Sequence, residues 1–433
     1  MKTKKHKLVV VGGGIAGIEI ATVLGQRSKN GCNGFDVTLV DRDTAHIWKP
    51  MLHTIAAGTR DVAQQQISYI LQAYRCNFLY QPGALIDLDR ENKEIVVDAI
   101  KSPDGREVIP RRRIKYDTLV LSLGSQANDF GTLGVKEHCY SIDSRQLAIK
   151  FQKELRIRIF QAYSTKEPLN ISIVGGGATG VELAVEICEF MKTTEALGLN
   201  DMCQNYSVTL VESGSRLLAN FPEDISEATK DTLEKLGIKV LLNSKVTSAT
   251  KQGYSLDGDI FIPSSLKVWA AGVKADDFLS TLGGLETNRN NQLLVKPSLQ
   301  TTLDDSIFAV GDCSSLILPG NERALAPTAQ IAHQQAQHII KHLSGLVFQQ
   351  KSIPEFKYHD FGSIVALGSY DAFASLGQFG LLKQATLRGL LAQLGHIMLY
   401  RTHQVMLYGF WRGSLFWLSE KLLARVKPEI HID

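Results

Sequence analysis

The chain has 433 residues, 44% of them hydrophobic and 21% charged, with a formal net charge of +3. At about 150 residues per domain, that length implies two or three domains. A charge this small does not point to nucleic acid, and none is expected as a partner. The six cysteines, Cys32, Cys76, Cys139, Cys188, Cys203 and Cys313, form no CxxC or CxxxxC pair. That excludes a paired-cysteine zinc or redox motif, fits a reduced intracellular protein, and leaves no metal expected.

The basic opening MKTKKHK runs straight into an apolar stretch, with no signal-peptide h-region or cleavage site. Lys7 to Val11 (KLVVV) has the composition of a buried parallel strand. GGGIAG follows, with Gly12, Gly14 and Gly17 in G-x-G-x-x-G register and Gly13, Ile15 and Ala16 between them. The next residues, IEIATVLGQR, have helical spacing, and a second strand, Phe35 to Val40, ends at Asp41. Glycines at these positions allow a tight turn and close approach of a pyrophosphate, the helix N-terminus offers free N–H groups, and Asp41 can accept from a ribose diol. His46 and His53 lack partners at metal-ligand spacing and read as structural or exposed.

The pattern then repeats. Asn170 to Val174 is a strand, GGGATG places Gly175, Gly177 and Gly180 in register around Thr179, and VELAVEICEFM continues as a helix. A polar insertion, roughly Thr193 to Tyr206, delays the next strand, Ser207 to Val211, which ends at Glu212. An acid there favours an unphosphorylated ribose, hence NADH over NADPH, although nearby Arg216 could meet a phosphate. Two fingerprints imply two dinucleotides, most simply a tightly held FAD and an exchangeable NADH. Glu182, in TGVE, falls in the first turn if the helix starts there, where it could serve the cofactor or merely satisfy a helix N-terminus. Its first-motif counterpart, Glu19, reads as helix surface or a flavin-site backbone partner and stays outside the catalytic set.

Residues 326–335, APTAQIAHQQ, suit a helix with Pro327 at its first position. Gln330 and Gln334 then share a face, and His333 and Gln335 add polar surface. Further on, Lys357 to Gly368 reads as strands, and Phe379 to Arg401 and Leu407 to Val426 have helical period. From Leu376 onward seven Lys or Arg stand against three Asp or Glu. Aromatic residues beside these cations suit helices lying in a lipid headgroup layer, and on pattern alone they suit packing against protein equally well. No window of 18 consecutive apolar residues exists, so membrane contact is expected to be peripheral.

Three more stretches carry a resemblance. Tyr116 to Gly124 (YDTLVLSLG), Val268 to Val273 (VWAAGV) and Ile307 to Cys313 (IFAVGDC) resemble, in this order, the two-dinucleotide-binding-domain flavoproteins. Within that superfamily, Trp48 to Gly58 (WKPMLHTIAAG), Pro327 with Ala329 to Gln334, and Leu399 to Gly413 (LYRTHQVMLYGFWRG) resemble type II NADH:quinone oxidoreductases of bacterial type. The resemblance implies an α/β fold: two Rossmann-like domains, three-layered with parallel sheets, plus a C-terminal region of strands and membrane-associating helices. It implies an FAD domain of residues 1–125 and 295–345, an NADH domain of 126–294, and a membrane-association region of 346–433. Non-covalent FAD would be held by Gly12, Gly13, Gly14, Ile15, Ala16, Gly17, Asp41, Lys49, Pro50, Gly124, Gly311, Asp312, Ala329 and Gln330. NADH would lie on Gly175, Gly177, Thr179, Gly180, Glu182, Glu212, Ala271 and Gly272.

The implied catalytic residues are Glu182 beside the nicotinamide and flavin edge, and Gln330 and Gln334 toward a quinone headgroup. The implied reaction passes a hydride from NADH to FAD and two electrons to a membrane quinone, without proton pumping. The implied setting is peripheral, on the cytoplasmic face of the inner membrane, with a homodimer as a further expectation. Lys383 and His396 are candidate proton donors by location. A reductase of a soluble carrier such as ferredoxin or rubredoxin, a sulfide:quinone reductase-like enzyme, and a non-catalytic nucleotide-binding sensor are the alternatives. Residues 42–75 contain no cysteine, which excludes disulfide-reductase chemistry.

Overall fold

The computed structural model describes residues 5–31, 34–60, 62, 66–196, 206–368, 370–375 and 386–424. In chain order, the elements that matter for the site begin with β1 (His6–Val11), α1 (Ile15–Lys29), β2 (Phe35–Asp41), α2 (Leu52–Ala57), β3 (Leu79–Pro82) and β4 (Thr118–Leu121). They continue with α3 (Arg145–Thr165), β5 (Leu169–Val174), α4 (Ala178–Ala196), β6 (Tyr206–Val211), β7 (Lys239–Leu241), β8 (Leu266–Trp269) and β9 (Ile307–Ala309). The C-terminal part holds α5 (Ala329–Gln349), β10 (Ser363–Leu367), β11 (Asp371–Ser375), β12 (Thr386–Arg388), α6 (Leu390–Tyr408) and α7 (Phe410–Ala424).

Contacts divide the chain into two compact units, residues 1–48, 66–126 and 273–358, and residues 49–65, 127–272 and 359–433. The first is built on a parallel sheet of order β9-β4-β1-β2-β3. Leu8 to Val11 are at most 2% exposed, as a strand covered on both faces requires, and this is why β1 reads as an unbroken apolar run. The second unit holds a parallel sheet of order β7-β6-β5-β8 and an antiparallel sheet of order β10-β11-β12.

Residues 273–294 join the first unit, residues 49–65 join the second, and residues 359–433 form no unit of their own. In the tail, Ala372, Ala374 and Ala392 pack together with Ile364 and Leu387, so the antiparallel sheet and α6 share one small core. The expected helix over 379–401 is replaced by β12 followed by α6, joined at Gly389 with φ +70°. Periodicity does not reveal that join, because a three-residue strand paired to β11 is too short to show its own alternation. The tail helices are separated at Gly409, φ +79°, rather than before Leu407. Residues 376–385 and 197–205, which include most of the polar insertion and Lys383, lie outside the described residues. Among the described residues no helix is long and apolar enough to cross a membrane.

Candidate functional site

The first glycine turn is formed as the motif predicts. Gly12 has φ +97°, and a Cβ there would stand 2.3 Å from the Ser122 carbonyl oxygen. A Cβ on Gly17 would lie 1.8 Å from Gly12 O, so α1 packs directly onto the turn. A Cβ on Gly14 would meet nothing within 4 Å, and no side chain caps the helix that starts after it. The open edge of the turn therefore presents backbone N–H groups to an anion, the geometry that suits a pyrophosphate.

Asp41 closes this turn. Its Oδ2 accepts the Gly13 N–H at 2.5 Å and its Oδ1 accepts the Asp43 N–H at 2.7 Å. Each oxygen keeps a lone pair for a ribose hydroxyl. Burial pushes this carboxyl up to about 6, against the pull of those two N–H groups. Three side chains fix the turn from behind. Tyr69 donates its hydroxyl to Gly13 O at 2.8 Å, His46 Nδ1 lies 2.8 Å from the same oxygen, and Ser122 donates to Gly12 O at 2.7 Å. His46 is thus a structural histidine, as one of its two sequence readings has it.

The other first-unit residues expected on the flavin side are held around the start of α5. Asp312 Oδ2 accepts from Ser125 Oγ at 2.7 Å, and its carbonyl accepts from Gln292 at 2.9 Å. Gly124 and Gly311 both have φ +72°. Helix α5 begins at Ala329 with Thr328 as N-cap, whose hydroxyl accepts the Ile331 N–H at 3.3 Å. Pro327 therefore precedes the cap and does not occupy the first helical position, because Thr328 supplies the acceptor that a cap needs. Gln334 and Gln330 contact each other, Nε2 to Oε1, at 3.5 Å, on one face as their spacing predicts.

Two residues read as polar surface are tied into the fold, one of them buried. Gln335 is 1% exposed, and its Oε1 accepts the Gly311 N–H at 2.6 Å, tying α5 to the GDC turn. His333 Nδ1 lies 2.9 Å from Glu19, which is fully buried, and Gln337 donates to the same carboxylate at 3.3 Å. That hydrogen bond holds the His333 imidazolium above its usual range. Glu19 is consequently the anchor between α1 and α5.

The second turn repeats the first in its backbone. Gly175 has φ +116° with Ala270 O 2.6 Å from an added Cβ, a Cβ on Gly180 would lie 2.0 Å from Gly175 O, and Gly177 is open. Glu212 accepts the Gly176 N–H at 2.6 Å and the Gly214 N–H at 2.6 Å. Arg216 is committed to its own loop, donating to Phe221 O, Ala219 O and Ser226 Oγ at 2.7 to 2.9 Å. Thr179 is in the first turn of α4, Ala271 packs on the core beside Trp269, and Gly272 has φ +66° against the Phe130 ring.

Glu182 lies in the second turn of α4, not the first, because the helix begins at Ala178. It is 6% exposed, so it does not serve as an exposed acid at a helix N-terminus. Its Oε1 accepts the Ala366 N–H of β10 at 3.1 Å, and its Oε2 is 3.3 Å from Nδ1 of His53 on α2, itself 4% exposed. Burial drives the Glu182 carboxyl up to about 8. His53, set aside on sequence spacing, is thus the partner of this acid. No local signal announces the pair, since 129 positions separate the two residues. Lys49 and Pro50 form a short 3-10 turn leading into α2.

Among the described residues no group of three His, Cys, Asp or Glu side chains is arranged to hold a metal. The described cysteines are Cys76, Cys139, Cys188 and Cys313, and all are free thiols. Burial pushes the Cys188 and Cys313 thiols up to about 11. Cys139 is bonded to the Tyr254 hydroxyl at 3.2 Å. Burial thus disfavours the thiolate form at Cys139, Cys188 and Cys313.

Residues 6–336 match the pyridine nucleotide-disulphide oxidoreductase family. A type II NADH:quinone oxidoreductase of Haemophilus influenzae is 39% identical, over 98% of this chain and 99% of its own length. Among solved structures, NDH2 from Plasmodium falciparum in complex with NADH superposes with a TM-score of 0.82 at 20% identity, covering 99% of this chain and 100% of that one. A sulfide:quinone oxidoreductase from Aquifex aeolicus gives 0.71 at 17% identity, covering 98% and 96%. At such identities the two structures speak for the fold.

Proposed function

The chain belongs to the type II NADH:quinone oxidoreductase family, and on that premise we propose that its first fold holds FAD non-covalently while its second takes NADH as substrate. When bound, the flavin would accept a hydride from NADH and pass two electrons to a membrane quinone, with no proton pumped. The observation that carries this reading is the duplicated turn: two glycine elbows with open N–H edges, each closed by a carboxylate on its second glycine.

The residues divide the work. In the first unit, Gly12 to Gly17 cradle the pyrophosphate, Asp41 holds the ribose, and Gly124, Gly311 and Asp312 contact the flavin's middle part. Ala329 and Gln330 bring the α5 N-terminus toward the ring, where its partial positive charge stabilises added electrons. Gln330 and Gln334 offer neutral hydrogen-bond partners to a quinone headgroup. In the second unit, Lys49 and Pro50 belong against the flavin ring. Gly175, Gly177, Thr179, Gly180, Ala271 and Gly272 bind NADH, with Glu212 on its ribose. Arg216 is committed to its own loop and Glu212 repels a 2′-phosphate, so NADH is preferred over NADPH. Glu182 holds or gives up a proton beside the reacting centre.

The tail supports the reading of a peripheral membrane contact, and the cytoplasmic face is part of the proposal. Met398, Phe410, Trp411 and Leu415 are each more than 60% exposed on α6 and α7, and an Arg401–Glu420 ion pair at 2.5 Å ties the two helices. The sulfide-oxidising alternative needs reactive thiolates, whereas burial disfavours the thiolate at Cys139, Cys188 and Cys313.

Anaerobic addition of NADH should bleach the flavin absorbance, and a ubiquinone or menaquinone analogue should restore it. Gln330→Ala should slow the restoring step about tenfold or more while leaving the bleaching step nearly intact. A flavin that NADH does not bleach, or that no quinone reoxidises, would overturn the assignment.

A further inference from the structure

Glu182 has acidic neighbours along α4. Glu186 stands four residues on and Glu189 three beyond that, so the three side chains share one helix face. Glu186 is 8% exposed, nearly as deep as Glu182. Glu189 is half-buried, and Lys192 after it is exposed. The row therefore leads from the core to the surface.

Two other elements build this row. On one side, His53 of α2 meets Glu182, and Thr59, just past the end of α2, donates its hydroxyl to Glu186 Oε2. On the other, β10 gives the Ala366 N–H to Glu182. Gly368 follows at φ +56°, where a Cβ would sit 2.4 Å from the Glu189 carboxyl carbon. Only a glycine leaves that carboxylate its place. Burying carboxyls without a salt-bridged cation is destabilising relative to apolar side chains of similar size, so packing alone does not explain Glu186. The charged and titratable groups that bear on it are Glu182, Glu189 and Arg60, whose charge also reaches Tyr400 of α6, while His53 faces Glu182. Burial pushes the Glu186 carboxyl up to about 7 and Glu182 to about 8, so both exchange protons near neutrality.

We propose that Glu186, positioned by Thr59 and continued by Glu189, is the relay that carries protons from solvent to Glu182. This rests on the reading of Glu182 as the group beside the reacting centre. The balance of the reaction requires such a supply. Reducing a quinone to a quinol takes two electrons and two protons, and the hydride of NADH brings two electrons with only one proton. One further proton must enter from solvent in each turnover. It joins the Glu189 carboxylate at the surface, passes to Glu186, and then recharges Glu182 after Glu182 has given its own proton to the reacting centre. Only O–H bonds break and form along the row.

The test uses the full, FAD-loaded chain with NADH and a short-chain quinone. Glu186→Gln should lower kcat about tenfold and leave the KM for NADH within about twofold. Losing the Glu186 charge lowers the Glu182 pKa, so the alkaline limb of the kcat profile should move to lower pH. Carboxyl NMR on glutamate-labelled protein should show the same downward shift of Glu182 directly, without turnover. Glu186→Asp should recover part of the rate, and Thr59→Val should lower it without removing a carboxyl. An unchanged kcat and pH profile in Glu186→Gln, with an unmoved Glu182 titration, would overturn the relay. If Glu186→Gln does not fold, wild-type rates in both Glu186→Asp and Thr59→Val overturn it instead. If the wild-type enzyme itself fails to couple NADH to quinone, the underlying functional reading has failed, and the Glu182 titration still decides whether the two carboxyls are coupled.

Discussion

The two glycine turns share a backbone and differ in what stands behind it. Each has a first glycine at positive φ pressed on a carbonyl, a third glycine packed on the first, and an acid on the second glycine's N–H. Behind the first turn stand Tyr69, His46 and Ser122, which together engage both Gly12 O and Gly13 O. Behind the second, Gly176 O is met by a backbone group, the Leu218 N–H at 2.8 Å. A turn held by three side chains is pre-organised and loses little freedom when a cofactor settles on it, which favours long residence. A turn held through its own chain suits a nucleotide that comes and goes.

The largest effect on this comparison comes from blocking one turn at a time. Gly12→Ala puts a Cβ 2.3 Å from Ser122 O at φ +97°, and Gly175→Ala puts one 2.6 Å from Ala270 O at φ +116°. Each should cost about 3 kcal/mol locally. The first variant should purify without flavin absorbance. The second should purify yellow and resist bleaching by NADH.

A smaller effect is expected with pH. Asp41 rises from 3.8 to about 6, whereas Glu186 and Glu182 rise from 4.5 to about 7 and about 8. A raised folded pKa gives stability that is complete below the unfolded value and is lost as pH rises through the folded one. Protection against hydrogen exchange should therefore fall first in the first unit, between about pH 4 and about pH 6. In the second unit the fall should extend to about pH 8, and Glu182→Gln should shorten that window. The His333–Glu19 contact has the same sign, present at low pH and lost on the alkaline side.

The smallest effect tests the bracing itself. Tyr69→Phe removes one donor from Gly13 O and leaves His46 in place. It should weaken FAD retention by about 1 kcal/mol, roughly fivefold in dissociation rate. Flavin release measured by fluorescence checks this, and an unchanged rate would remove Tyr69 from the explanation.

Both fingerprints were legible in the amino-acid order, because each sits on contiguous residues with its own period: an unbroken apolar strand, three spaced glycines, a helix, an acid. The bracing was not. Tyr69 is 56 positions from Gly13, Gln335 is 24 from Gly311, His333 is 314 from Glu19, and His53 is 129 from Glu182. A polar side chain that bonds a distant group has the same letter as one in water, so Gln335 read as surface though it is buried, and the pairing of part-exposed His333 with Glu19 left no local trace. The proline before α5 was legible as a helix start, but a cap is decided by an acceptor, and Thr328 supplies it. In the tail, helix was legible and the short strand β12 was not, for want of length.

Exhaustive dialysis of the purified protein, followed by assay of both nucleotides, tests the difference between the folds most directly. The account predicts that FAD stays, at one per chain, while added NADH or NAD+ is washed out completely. Flavin that leaves as readily as the nicotinamide nucleotide would contradict it.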